Sequence, residues 1–344
     1  MENHYETPRL AFEATRGQSP ASPRSVLRQK RRNVGSPRLL VCVDGNDAAY
    51  SIVPHALAIA CSLGLEPTFA RVIDTLGHFR TPADPIEWQR SQQSQQQDLE
   101  VLAGEREPGL AADSVLLAGK PADELNDWAL DHGVTLLAMG CRDAEPSTGL
   151  GSTARALLDQ ANHSLLLIPP TTEKDMTYRR VMVPIDGSAR AESVLPVARR
   201  IARTHGATLV LVHVLPKPRM SDISHPSRGK MRGEIATLDE GCTRDHLEEL
   251  RTRCIEDGVP VNTVTTGPGD PRSMLARTAK EQGADIIVMS SHGCTGRDDV
   301  PCGSVAEYLA SNAPVPILIV RPNIECSFGP EPQSCRNTSA FRFS

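Results

Sequence analysis

The chain has 344 residues, a formal net charge of −5, 39% apolar residues and 3% aromatics. That length suggests two domains, and the composition is that of an ordinary globular protein. So few aromatics disfavour stacking platforms for single-stranded nucleic acid, no apolar run approaches the ~20 residues of a membrane helix, and the N-terminus lacks the apolar core of an export signal. The nine cysteines are scattered, with no Cys-x-x-Cys pair, which speaks against a zinc or dithiol centre and suits a reducing cytoplasm.

Residues 1–36 hold no apolar period and end near the basic run Arg28-Gln-Lys-Arg-Arg32. Such a segment cannot bury enough surface to fold alone and reads as a disordered basic tail. From Arg38 the texture changes. Leu39–Val43 reads as a buried strand ending at Asp44-Gly45, Ala48–Leu63 as a helix, and Pro67–Ile73 as a second strand. A polar helix over Pro85–Glu107, a strand over Ser114–Leu117 and a helix over Pro121–His132 follow. Thr135–Met139, Ser152–Asn162 and Ser164–Ile168 then read as strand, helix and strand, and Pro169-Pro170 breaks the pattern.

The same order then repeats. Arg180–Ile185 runs into Asp186-Gly187-Ser188, and single helices are expected over Ala191–Thr204 and Thr243–Asp257. Strands are expected at Thr208–Val214, Val261–Thr265, Asp285–Met289 and Pro316–Val320. A helix follows Gly267-Pro-Gly-Asp270, and another covers Ser304–Asn312. Val41-Cys-Val-Asp-Gly45 aligns with Val183-Pro-Ile-Asp-Gly187, which marks an internal duplication. The domains are therefore 37–170 and 177–322, with 323–344 an irregular tail.

Continuous apolar strands alternating with helices predict an α/β fold: two tandem doubly wound, Rossmann-like (HUP-type) parallel sheets of five strands, each in the order 3-2-1-4-5. Ligands of such sheets bind beyond the carboxyl ends of the strands, at the switch point. Asp186 and the loop Gly293–Ser304 both fall there. Asp186 suits hydrogen bonds from an adenine amino group or a ribose hydroxyl, or else closes the Asp-Gly turn. The small-residue loop leading into the Ser304 helix suits an anion, because glycines let backbone N–H groups approach a phosphate. No Gly-x-x-x-x-Gly-Lys-Ser/Thr run, no Gly-x-Gly-x-x-Gly after either first strand, and no nucleophile elbow is present. His213 and His292 show no spacing for metal or base chemistry and read as structural.

The second half resembles the universal stress protein family. Nucleotide-binding members of that family carry Gly-x2-Gly-x9-Gly-Ser/Thr after the fourth strand, and here Ser290-x2-Gly293-x9-Gly303-Ser304 keeps the spacing. The opening Val-Pro-Ile-Asp-Gly-Ser, the run Gly-Ser-Val-Ala-Glu and Pro314–Val320 are also similar. The resemblance implies that Pro184, Asp186, Val214 and Met289 surround adenine and ribose, and that Ser290, Gly293, Gly303, Ser304 and Val305 hold phosphates. It implies an adenine nucleotide (ATP, ADP or AMP) as cofactor, a stress-response sensor rather than an enzyme, hydrolysis at most slow, and pairing through the last strands, within the chain or as a homodimer. A scaffold that binds no nucleotide is the alternative.

Two departures carry chemistry. Ser290 stands in place of the first glycine, where a left-handed backbone would cost about 1 kcal/mol. Asp298 and Asp299 inside the loop would repel a triphosphate unless Mg²⁺ intervenes, with Arg297 as partial compensation. In the first half Gly140-x2-Asp143-x7-Gly151-Ser152 has Asp for the second Gly and a loop two residues shorter, Cys42 replaces the proline and Arg71 the histidine. That half, with Asp44 at its strand end, is expected to be the degenerate copy. Cys294 and Cys302 flank the second loop and read as unpaired thiols.

Overall fold

The structure, a computed structural model, describes residues 37–44, 49–75, 85–104, 112–141, 149–170, 177–216, 241, 244–293 and 300–321. Both tails, Asp143, Cys294, Arg297, Asp298 and Asp299 lie outside them. The first half runs β1 (Arg38–Cys42), α1 (Ala49–Leu63), β2 (Glu66–Asp74), α2 (Pro85–Gly104), β3 (Asp113–Gly119), α3 (Pro121–Asp131), β4 (Val134–Gly140), α4 (Ser152–Gln160) and β5 (Ser164–Ile168). The second half runs β6 (Arg180–Pro184), α5 (Ala189–Glu192), α6 (Leu195–His205), β7 (Thr208–Pro216), α7 (residues 244–256), β8 (Val261–Gly269), α8 (Pro271–Glu281), β9 (Ile286–Ser290), α9 (Ser304–Asn312) and β10 (Ile317–Val320).

Among the described residues ten strands form one sheet in the order β3-β2-β1-β4-β5-β10-β9-β6-β7-β8. Within each half the pairing is parallel, and each half has the order 3-2-1-4-5. Only β5 and β10 run antiparallel, with Leu166 opposite Leu318. These two leucines occupy the same place in the two repeats. A pseudo-twofold axis therefore passes between them, and neither strand is left as an open edge.

Both faces of the sheet are covered. Val181, Val183, Ile286 and Val288 face the layer that contains residues of α1, α6 and α7. Met182, Val210, Val212, Ile287 and Met289 face the layer built with α3, α4, α8 and α9. Side chains alternate along each strand, and since both alternate sets are buried the strands read as unbroken apolar runs.

On the first face α1 packs against α6, joining the halves through a buried polar cluster. His55 Nδ1 lies 2.9 Å from Tyr178 Oη, His205 Nε2 lies 3.1 Å from Ser62 Oγ, and Arg200 Nε donates to Ser62 O at 2.9 Å. Ser62 has one hydroxyl proton, which goes to Ala58 O at 2.8 Å, so His205 Nε2–H is the donor to Ser62 Oγ.

One expected helix is two. The helix read over Ala191–Thr204 breaks at Ser193-Val194 into the short α5 and the longer α6. Pro196, in the first turn of α6, has no N–H to continue a helix but suits the start of one.

Candidate functional site

The chain folds back toward β7 after β6 and toward β10 after β9, so the crossovers leave these neighbouring strands in opposite directions. Their carboxyl ends form the switch point of the second half. By strand alternation Pro184, Val214 and Met289 face the side covered by α8 and α9. Met289 is buried, and Val214 and Val305 are partly buried against the same apolar layer.

Asp186 lies just past β6 and is exposed. Its Oδ1 accepts from Ser188 N–H at 3.0 Å and from Ser188 Oγ–H at 2.6 Å. Ser188 Oγ in turn accepts from Ala191 N–H at 3.1 Å and caps α5. Gly187 between them has φ +79°, a conformation open to glycine. The Asp-Gly-Ser sequence thus makes an Asx turn that aims the carboxylate. Its Oδ2 faces the loop after β9. A Cβ placed on Gly293 would lie 2.2 Å from that oxygen and 3.4 Å from Asp186 Cγ. Gly293 is not in the left-handed region. What glycine provides there is clearance for the Asp186 carboxylate in this position, and not backbone freedom.

The neck of the loop is cross-tied. Ser291 O accepts Gly303 N–H at 2.8 Å, and Ser291 N–H donates to Val320 O at 3.2 Å. Ser290 Oγ–H donates to His292 O. His292 Nε2–H donates to Val300 O at 2.8 Å, which leaves Nδ1 to accept Ser291 Oγ–H at 3.0 Å. Ser290 itself ends β9 outside the left-handed region, so the cost expected from its Cβ does not arise. His213 Nδ1–H donates to Ile185 O at 2.8 Å and steadies the strand end before Asp186.

Gly303 is the N-cap of α9, with φ −72° and ψ 150°. A Cβ there would come within 3.2 Å of Ser291 O, so the tight neck also selects glycine. Among the described residues no side chain caps α9, and Ser304 at its first position is exposed. The helix start therefore presents amide donors and the positive end of its dipole beside a carboxylate on the neighbouring strand. Burial pushes the Cys302 thiol up to about 11, so it stays protonated and does not act as a thiolate.

The first half keeps the frame of this site. Cys141 O accepts Gly151 N–H at 2.7 Å, and Gly151 caps α4 without a side-chain bond. Gly140 differs from its counterpart Ser290, and a Cβ there would meet only Ile52 at 3.4 Å. Asp44 is exposed at the end of β1. Burial pushes the Cys42 thiol, in the place of Pro184, up to about 12. Among the described residues no group of acidic, histidine and cysteine side chains is arranged to hold a metal ion, and no helix is long and apolar enough to cross a membrane.

Sequence reasoning missed Arg321. It follows β10, is 5% exposed, and its guanidinium reaches Pro301 O in the loop and Leu158 O in α4. The available signal was a charged residue directly after a buried strand, aligned with Pro169 of the first repeat.

A family model described as the universal stress protein family matches residues 36–169 and again 177–321. Universal stress protein MJ0531 of Methanocaldococcus jannaschii is 27% identical over 144 residues, 42% of this chain and 82% of that protein. Universal stress protein YxiE of Bacillus subtilis is 28% identical over 152 residues, 42% of this chain and 99% of that protein. A crystal structure of a universal stress protein from Archaeoglobus fulgidus superimposes with a TM-score of 0.58 at 19% identity, covering 83% of this chain and 98% of that one.

Proposed function

The chain belongs to the universal stress protein family, and we propose that within it this protein is a stress-response sensor that binds one adenine nucleotide through its second half. Asp186 accepts hydrogen bonds from the adenine or ribose, with Pro184, Val214 and Met289 forming the apolar wall. Gly293, Gly303, Ser304 and Val305 receive the phosphates at the start of α9, and Ser290 holds the neck through His292. The observation that carries this reading is the approach of Asp186 Oδ2 to Gly293 beside an uncapped helix start. A carboxylate kept clear by a glycine next to the amide-rich start of a helix fits a ligand with a hydrogen-bond donor at one end and an anion at the other.

The role is binding, with hydrolysis at most slow. Both ring nitrogens of His292 are already engaged, so it is not poised as a base for water. Asp298 and Asp299 would repel a triphosphate unless Mg²⁺ offset their charge, and AMP or ADP would bind without that requirement.

Calorimetry with ATP, ADP and AMP, with and without Mg²⁺, tests this on the intact chain and on Gly293→Val. We expect one nucleotide per chain, lost in Gly293→Val. Absence of heat with every nucleotide would favour the scaffold reading.

A further inference from the structure

The two halves also meet next to the loop of the candidate site, where Arg321 links both to the end of that loop. Arg321 is a charged side chain buried in the sheet's central seam. Its chain N–H donates to Ser164 Oγ at 3.0 Å, at the start of β5. Its Nη2 donates to Leu158 O at 2.9 Å, and its Nη1 donates to Pro301 O. Leu158 lies in the last turn of α4, where carbonyls lack helical partners and the dipole is negative, a setting that suits a buried cation. Pro301 lies two residues before Gly303, in the segment that returns the loop to α9. A single guanidinium therefore touches the first half with one nitrogen and the phosphate loop of the second half with another.

The repeats are unequal here. Ile168 and Val320 accept the equivalent bonds from Cys141 and Ser291, so they hold the same place. The next residue is Pro169 in the first half and Arg321 in the second. Proline offers no donor, so the first half has no guanidinium at this position. Among the described residues the brace is made only to the loop that keeps the Gly293–Gly303 spacing.

We propose that Arg321 is a positioning residue through which the first half sets the geometry of the phosphate loop in the second, making the first half a required part of the site. By linkage, a nucleotide held in that loop stabilises the seam between the halves, just as the seam stabilises the loop. The bracing stands on the contacts alone; the ligand consequence rests on the nucleotide reading above.

The test uses the full chain as Arg321→Met and Arg321→Lys, the second keeping a cation that can reach one carbonyl. Amide hydrogen exchange without nucleotide is the first readout. We expect exchange in peptides covering 300–305 to rise by about tenfold or more in Arg321→Met and less in Arg321→Lys, with β1, β4 and the 149–153 segment unchanged. Calorimetry with AMP is the second readout, with affinity falling by about tenfold in Arg321→Met and by less in Arg321→Lys. Unchanged exchange at 300–305, or a rise spread evenly over the whole sheet, would overturn the proposal. Loosening confined to the loop in Arg321→Met, together with a wild-type chain that binds none of ATP, ADP and AMP, would support the brace and reject the nucleotide reading instead.

Discussion

Arg155 and Glu307 occupy the same place in the two repeats, one turn into α4 and α9, and their side chains form an ion pair with each other. Because the pair straddles the pseudo-twofold axis, two first halves facing each other would oppose Arg to Arg, and two second halves Glu to Glu. The charges favour pairing within the chain over pairing with a second copy through the same surface. The side chains are 39% and 50% exposed, so the effect is small. Arg155→Glu should lower stability by about 0.5–1 kcal/mol, and adding Glu307→Arg should recover most of it. Urea unfolding of the two single variants and the double variant measures the coupling; a coupling of zero would remove this role.

Gly293→Ala should separate site geometry from stability. The new Cβ displaces the Asp186 carboxylate, which is exposed and can move without opening the core. We expect a stability loss below about 1 kcal/mol together with a nucleotide affinity at least about tenfold weaker. Paired with Asp186→Ala, the glycine substitution should have little further effect on affinity. Thermal melts and titrations of the three variants decide it.

Much of the fold was legible because it is repeated and periodic. The Asp-Gly strand ends, the apolar runs and the Gly-rich loops each occur once in each half, so the pattern is written twice. The break between α5 and α6 was less visible, since Pro196 starts a helix as readily as it ends one. At the site, Asp186 and Gly293 stood out separately, but the reason for the glycine did not: it is a clearance between residues on different strands. The partners of Arg321 were illegible for the same reason, as its contact with Leu158 spans 163 positions in sequence.

Stability should fall as pH drops below neutrality. Burial in the α1–α6 junction pushes His205 down to about 4 from 6.5. The groups facing it there are the Tyr178 ring and the Ser62 hydroxyl, with Arg200 bound to the Ser62 carbonyl. The unfolded chain takes up the proton near pH 6.5 and the folded chain only near 4. Stability is therefore complete above about pH 6.5 and is lost on acidification toward pH 4, by up to about 2 kcal/mol after allowing for partial exposure. His205→Gln retains a donor for Ser62 and should flatten this slope. His163, also lowered by burial, acts in the same direction, so some slope should persist. Denaturant melts at pH 7 and pH 5 provide the comparison.

The first half should not take a second nucleotide. Its loop is two residues shorter and lacks a guanidinium in the place of Arg321. Asp44→Ala should leave the affinity and stoichiometry of nucleotide binding unchanged within about twofold, whereas Asp186→Ala should weaken binding by about tenfold or more. Titrations of both variants at matched concentrations check the contrast, and equal losses would show that both halves bind.

The most direct measurement is a crystal structure of the intact chain grown with ATP and Mg²⁺. The nucleotide should lie across the carboxyl ends of β6 and β9, with adenine or ribose on Asp186 and the phosphates on Gly303 and Ser304. A nucleotide seated instead at Asp44 and Gly151, or density that leaves Asp186 and the start of α9 untouched, would contradict the site.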